Sequence, residues 1–290
     1  LISLMKDQVD NLAARGIRAV CLHSGLSRRE MAYATDSARL GRARIVYVAP
    51  EKLRRKNFIE ELRGWDVSLI VVDEAHCISQ WGYDFRPSYL KIAELRPLFP
   101  DVPVLALTAS ATPEVVADIA DKLHMRAPAV CSLSFARHNI SFVVRRTPHK
   151  EQMLLHVLER TQGTAIVYVR SRRRCVELAD MLRREGISAD YYHAGLDPLL
   201  KSERQDAWRA GSVRVIVATN AFGMGIDKPD VRLVVHFDLP STLEEYYQEA
   251  GRAGRDGQPS YAVVLLGPTD TATLRRRVSE EFPPKEFVAR

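Results

Sequence analysis

Leu69-Ile70-Val71-Val72-Asp73-Glu74-Ala75-His76 is an apolar run that ends in two adjacent carboxylates. Uninterrupted apolar residues of this length suit a strand buried on both faces, as in a parallel sheet. Open parallel sheets bind ligands at the carboxyl ends of their strands, which is where Asp73 and Glu74 fall. Working outward, similar β-branched runs occur at 44–49, 104–108, 165–169, 213–218, 232–237 and 261–265, with another at 140–144. Amphipathic stretches separate them. One, at 176–185, is closed by Gly186, a natural C-terminal cap. Thr112 followed by Pro113 reads as an N-cap with proline at the first helical position. Ser241 with Glu244 three residues on has the pattern of a capping box. Strand and helix in alternation over this length predict an α/β protein.

The chain also repeats. Gly16-Ile17-Arg18-Ala19-Val20-Cys21-Leu22-His23-Ser24-Gly25-Leu26 aligns with Gly186-Ile187-Ser188-Ala189-Asp190-Tyr191-Tyr192-His193-Ala194-Gly195-Leu196 at an offset of 170. Gly, Ile, Ala, His, Gly and Leu coincide. The same offset places Gly41 on Gly211 and Arg44 on Arg214 without a gap. Chance similarity between small and apolar residues is the plain alternative. The constant offset favours two similar α/β domains in tandem, joined near 136–139.

Composition agrees with that division. At ~150 residues per domain, 290 residues fit two domains. The chain is 46% hydrophobic and 27% charged, which excludes a disordered, collagen-like or disulfide-knotted protein. A net charge of +6 permits nucleic-acid binding without requiring it. No apolar run approaches the ~20 residues of a membrane span, so no membrane partner is expected. Cys21, Cys77, Cys131 and Cys175 lie far apart, with no zinc-ligand spacing. They read as reduced, mostly buried thiols of an intracellular protein. The opening Leu1-Ile2-Ser3-Leu4 reads as an element already under way, so the first domain is expected to be truncated at its N-terminus.

The paired carboxylates suit phosphoryl transfer to water, which needs one group to hold hydrated Mg²⁺ and another to orient the attacking water. Asp73 suits the first role and Glu74 the second; a solvated acidic strand end is the plain alternative. A second signal is Gln248-Glu249-Ala250-Gly251-Arg252-Ala253-Gly254-Arg255-Asp256. Two arginines three apart share a helical face. The guanidinium fork donates bidentate hydrogen bonds to phosphate and stays charged. A basic helix end complementing its dipole is the alternative. A cleft between two domains would let such an arginine stabilise transition-state charge on a nucleotide held by the other domain. The phosphate-cradling pattern GxxxxGK[ST] is absent from the sequence.

Asp73-Glu74-Ala75-His76-Cys77-Ile78-Ser79-Gln80-Trp81-Gly82-Tyr83-Asp84-Phe85-Arg86-Pro87 resembles motif II and the adjoining aromatic-rich loop of RecQ-like DNA helicases. Residues 1–9 resemble motif Ia, 47–53 motif Ib, 107–112 motif III and 165–172 motif IV. VATNAFGMGIDKP at 217–229 resembles motif V, and YYQEAGRAGRDG at 246–257 resembles motif VI. The resemblance covers nearly all of 1–268, in family order.

It implies two tandem RecA-like domains with parallel sheets flanked by helices. The first would span 1–137, lacking its N-terminal part, and the second 138–268; 269–290 would begin a C-terminal extension. The implied activity is ATP-driven 3′-to-5′ translocation on single-stranded DNA and unwinding of duplex or branched DNA, in repair, recombination or replication. ATP and Mg²⁺ are the implied cofactors. Asp73 would hold Mg²⁺ through water and Glu74 would activate the nucleophile. Arg255 would be the arginine finger, with Arg252 and Gln248 beside it. His76 would couple nucleotide to DNA, and Gly225 and Asp227 would belong to the motif V loop. The protein would work in the cytoplasm on the nucleoid of a bacterium, or in a eukaryotic nucleus, beside single-stranded-DNA-binding or recombination proteins.

Trp81 and Phe85 can stack on bases and Arg86 can reach a phosphate, although aromatics are more often core residues. Ser3, Lys6, Thr108, Ser110, Arg170, Ser171, His193 and Thr219 are candidate DNA-backbone contacts, which give position and not sequence readout. The basic stretch 170–174 equally fits a solvated helix start. Tyr83 stands where many relatives have His, and Ser110 where Thr is usual. Residues 269–290 contain no cysteine, so the four-cysteine zinc module of many members is not seen in this chain. Without the phosphate cradle, the chain alone is expected not to hydrolyse ATP. The alternatives are another superfamily-two helicase acting on RNA, which the 81–86 loop disfavours, and a non-catalytic nucleic-acid-binding remnant.

Overall fold

In the computed structural model, residues 2–281 are described, apart from 83, 110 and 224–227. The chain divides into two compact units, Leu1–Leu133 and Ser134–Arg290. The division falls a few residues before the expected 137/138. Among the described residues no helix is long and apolar enough to cross a membrane.

The first unit contains α1 (Ile2–Ala14), β1 (Ala19–Leu22), α2 (Arg28–Arg39), β2 (Ile45–Val48), α3 (Lys56–Leu62), β3 (Ile70–Val72), β4 (Val104–Ala106) and α4 (Pro113–Lys122). Its described strands form two parallel pairs, β1 with β2 and β3 with β4. One core cluster gathers Leu22, Leu53, Phe58, Leu62 and Phe99, and another gathers Val72, Ile78, Val115, Ile119 and Leu123. The expected burial of both strand faces does not hold here. Leu69, Val71, Leu105 and Leu107 are each 44–49% exposed, whereas Val72 is buried. Side chains alternate across a strand, so one face reaches the core and the other remains open.

The second unit is built from β5 (Ile140–Arg146), α5 (Lys150–Arg160), β6 (Thr164–Tyr168), α6 (Arg172–Arg184), β7 (Ala189–Tyr192), α7 (Pro198–Arg209), β8 (Val215–Ala218), β9 (Val231–His236), α8 (Leu243–Ala250), β10 (Ser260–Leu266) and α9 (Asp270–Glu281). Its six parallel strands run in the order β5-β10-β9-β6-β8-β7. Both faces are covered at the centre of the sheet, while Phe142 and Val144 on the edge strand β5 are exposed. Ala165 and Val167 of β6 join Leu154, Leu158, Leu178 and Leu182 of α5 and α6 on one side. Ile166 and Tyr168 join Trp208, Phe222 and Ala250 on the other. Every residue of β6 and β8 is buried, as their apolar runs predict.

The repeat is a repeat of structure. β1, α2 and β2 recur as β7, α7 and β8 with both ends of each element shifted by 170. Ala19 pairs with Ile45, and Ala189 with Val215, in the same parallel register. The Ala49 amide donates to the Leu22 carbonyl and that of Thr219 to the Tyr192 carbonyl. Gly16 and Gly186 hold φ of 74° and 76°, a left-handed turn that glycine enters without steric cost. This geometry accounts for the paired glycines in the sequence.

The helix caps follow their local chemistry. Thr112 Oγ1 accepts the Val115 amide at 3.4 Å, as the Thr-Pro pair predicts. The expected cap at Ser241 moves by one residue: Thr242 Oγ1 accepts the Glu245 amide at 3.1 Å. Glu245 in turn accepts the Ser241 amide at 2.6 Å. Cys77 and Cys175 are buried as expected, but Cys131 is exposed; all four thiols are free.

Candidate nucleotide and nucleic-acid sites

In the first unit β3 delivers its carboxylates where the sequence places them. Asp73 is exposed just past the strand, and its Oδ1 accepts the Glu74 amide at 2.9 Å. Glu74 adopts φ 49° and ψ 44°, a left-handed conformation unusual for a side chain with a Cβ. Such strain is tolerated where the surroundings fix it, often at functional sites. A short 3₁₀ turn, Ala75–Ile78, follows and is completely buried. Hard carboxylate oxygens, exposed at a strand end, are donors that suit a hydrated Mg²⁺ ion.

His76 ties this turn to the end of β4. Its Nδ1 lies 3.0 Å from Thr108 Oγ1 and 3.5 Å from Glu74 Oε2. Burial, assisted by Arg86, holds the imidazole pKa below its ordinary value and so favours the neutral ring. With its proton on Nδ1, the neutral ring can share that one donor between Glu74 Oε2 and Thr108 Oγ1, so it connects the Glu74 carboxylate to the 108 region. Thr108 thus has a partner on motif II, which spacing alone did not show.

The aromatic loop is stitched to the same turn. The Arg86 amide donates to the Cys77 carbonyl at 2.8 Å, and Arg86 Nη2 donates to Asp84 Oδ2 at 2.5 Å. Cys77 Sγ lies 3.8 Å from the same carboxylate oxygen, and burial pushes its pKa up to about 12. Cys77 is therefore a packed thiol. A Cβ on Gly82 would fall 2.4 Å from the His76 carbonyl oxygen, so the loop can close this tightly only with glycine. Trp81 is 79% exposed, which rules out the core reading for this ring. Phe85 and Arg86 are half-buried beside it. Lys6 is exposed on α1. Ser3 belongs to the same helix, but its side chain lies outside the described residues, as do Ser110, Gly225 and Asp227.

In the second unit the candidate residues separate. Arg255 is exposed. Arg252, by contrast, is 7% exposed, hydrogen-bonded to Tyr168 and in the field of Glu249. Its helical spacing with Arg255 ends where α8 stops at Ala250, so the two side chains do not share a face. Gln248 is half-buried on α8. Below the loop, His236 Nε2 lies 3.0 Å from Glu249 Oε2, and the His236 ring stacks on Tyr168. Burial raises the Glu249 pKa despite the opposing His236 contact. This buried network escaped the sequence reading, because its members come from three separate elements.

The expected DNA contacts of this unit have unequal access. Arg170 is engaged internally with Glu245, Ser241 and the Leu239 carbonyl, so its guanidinium braces the domain. Ser171 is exposed and caps α6, accepting the Arg174 amide at 3.0 Å. Thr219 is buried at 8% exposure, and its hydroxyl faces the Ala221 amide at 3.4 Å. His193 is half-buried and stacked on Tyr191. Its pKa is lowered by burial and by Arg172, Arg204 and Lys201. Those three cations make the 193–195 turn electropositive, which favours an anionic ligand.

Residues 1–119 match the family model for DEAD/DEAH box helicase, and residues 149–257 match that for Helicase conserved C-terminal domain. The chain is similar to the ATP-dependent DNA helicase RecQ of Pasteurella multocida (strain Pm70), at 43% identity over all of this chain and 46% of the relative. It is also similar to the RecQ-like DNA helicase blm-1 of Caenorhabditis elegans, at 41% identity over 97% of this chain and 30% of that protein. It spans about half the length of the bacterial relatives it matches. Among solved structures, Mycobacterium smegmatis helicase Lhr bound to ssDNA and AMP-PNP covers 97% of this chain with TM-score 0.71 at 21% identity, this chain spanning 41% of it. Dbp5 of S. cerevisiae, bound to gle1 and ip6, covers 97% with TM-score 0.67 at 18% identity, this chain spanning 72% of it. At those identities the structures share the fold of this chain, tandem RecA-like units with parallel sheets.

Proposed function

The chain belongs to the RecQ-like family of helicases, and on that premise we propose that it forms the motor core of an ATP-dependent DNA helicase. The motor moves 3′ to 5′ on single-stranded DNA and unwinds duplex or branched DNA. The observation that carries this reading is the linked geometry of the first unit. The strained Glu74, the His76–Thr108 bridge and the exposed Trp81 belong to one hydrogen-bonded segment. Nucleotide chemistry and base stacking therefore share a rigid connection.

Asp73 would hold hydrated Mg²⁺, which supplies neutralisation of the phosphate charge. Glu74 orients and deprotonates the attacking water. Arg255 stabilises charge that develops in the transition state, through a guanidinium that cannot lose its proton. Trp81 offers a stacking platform, and the cations around His193 attract the DNA backbone. On this reading ATP turnover requires a GxxxxGK[ST] phosphate cradle in addition to the residues of this chain. The cellular setting is repair, recombination or replication, on the nucleoid or in the nucleus, beside single-stranded-DNA-binding or recombination proteins.

The test is strand displacement by an ATP-hydrolysing protein that carries these residues. Duplexes with a 3′ tail should be unwound in an ATP-dependent reaction that Glu74→Gln abolishes. Equal unwinding of 5′-tailed duplexes would overturn the polarity. A preference for RNA substrates would overturn the DNA reading.

A further inference from the structure

Arg137 and Asn139 belong to no site described above, yet their side chains close on the backbone that carries Arg255. Arg137 Nη1 donates to the Gly251 carbonyl at 3.1 Å. Its Nη2 donates to the carbonyls of Ala253 at 3.0 Å and Gly254 at 2.9 Å. Asn139 Nδ2 donates to the carbonyls of Gly254 at 2.7 Å and Gln258 at 3.0 Å. Just upstream, the Phe135 carbonyl accepts the Tyr247 hydroxyl, and the two rings meet edge to face. The segment 251–258 is thus held on both sides of Arg255, and Arg255 itself stays exposed.

The fit is close. Gly254 has φ of 55°, and a Cβ there would sit 2.5 Å from Asn139 Nδ2 and 2.6 Å from Ser260 Oγ. Its amide donates to the Val231 carbonyl at 2.8 Å, so β9 fixes the same residue from below. The three acceptors lie in the turn just past the C-terminus of α8, the end of a helix that favours a cation. A lysine could supply that charge as a point. Only a planar fork engages three carbonyls spread over a turn in fixed directions.

We propose that Arg137, assisted by Asn139, is a positioning residue for Arg255: it sets the course of the 251–256 turn so that the Arg255 guanidinium is presented in one orientation. The inference rests on the reading of Arg255 as the arginine that stabilises the transition state. Small displacements of such a group are costly, since a shift of ~1 Å can lower rate by ~10².

Two measurements test it. In the 290-residue chain, amide hydrogen exchange at 252–256 should accelerate about tenfold in Arg137→Ala, while the β6 and β8 amides keep their protection. In an ATP-hydrolysing protein carrying these residues, Arg137→Ala should lower kcat for DNA-stimulated hydrolysis by ~10–100-fold with KM for ATP within about twofold. Added guanidinium ion should restore part of that loss, and Arg137→Lys should recover less than the wild-type rate. If Arg137→Ala unfolds, Asn139→Ala and Arg137→Lys carry the same comparison at smaller amplitude. Unchanged exchange and unchanged kcat would overturn the proposal, as would a kcat loss that merely tracks lowered Tm and is not rescued. Full activity in Arg255→Ala would instead overturn the role of Arg255, whatever Arg137 does.

Discussion

β2 and β8 follow the same course 170 residues apart, each parallel to its neighbour in the same register. Yet β8 has no exposed residue, whereas β2 opens on Ile45 at 37% exposure. The contrast extends to other strands of each unit, although the edge strand β5 of the second leaves Phe142 and Val144 exposed. β3 and β4 leave Val71 and Leu105 nearly half exposed, while β6 in the second unit is buried throughout. Local chemistry accounts for what is shared: glycines at left-handed turns, polar caps and a common hydrogen-bond register. Burial depends on what the remainder of a unit lays against the sheet, which a strand's own composition does not encode. The functional groups follow the contrast. The second unit sets its arginines on a closed scaffold, and the first suspends its carboxylates and aromatic loop from a short turn.

Folding energetics should show the largest difference. Trp208→Ala removes a completely buried side chain and should destabilise the second unit by ~3–5 kcal/mol. Leu105→Ala, on the open face of the first unit, should cost less than ~1 kcal/mol. Urea unfolding followed unit by unit measures both, and equal losses would break the comparison. Next comes DNA affinity at fixed salt. Trp81→Ala should weaken binding of a single-stranded oligonucleotide by about tenfold, the scale of one lost stacking contact. Leu199→Ala, at an 82% exposed position of the second unit, should leave the affinity unchanged in the same titration.

The His76–Thr108 bridge should yield a smaller effect. Thr108→Val keeps the shape and removes the hydroxyl, so the first unit should lose ~1 kcal/mol in a denaturant titration. A neutral result would mean that the bridge is incidental. The smallest effect is in pH. The pKa of His76 is lower in the folded protein than its ordinary 6.5. Between those values the unfolded chain binds more protons, so stability is complete above 6.5 and falls as pH drops below it. His76→Asn should flatten that part of the profile. His193 also has a lowered pKa, from burial and nearby cations, and gives the second unit the same sign of dependence.

Much of this was legible in the sequence, and the parts that were not have physical reasons. The offset of 170 announced the duplicated β–α–β unit because glycine at a left-handed turn and a capping residue are local requirements. The apolar run before Asp73 located the carboxylates, because a strand fixes where its end falls. Two-sided burial failed for β3, because the alternation of exposure is decided by partners elsewhere in the unit. Arg252 and Arg255 looked equivalent by spacing; the helix ends at Ala250, and that single fact buries one and exposes the other. Arg170 kept its place but spends its guanidinium on Glu245 and Ser241. Arg137 and Asn139 left no sequence signal, since their acceptors lie more than a hundred residues away and are backbone carbonyls, which any residue supplies.

The central claim is that the proposed ATP chemistry and the proposed DNA grip reside on separable groups. The most direct test is Arg255→Ala in an ATP-hydrolysing protein carrying these residues, with DNA-stimulated hydrolysis and single-stranded DNA binding measured side by side. The account predicts that hydrolysis falls by ~10³ or more while the Kd for DNA stays within about twofold. Parallel loss of both, or retention of hydrolysis, would contradict it.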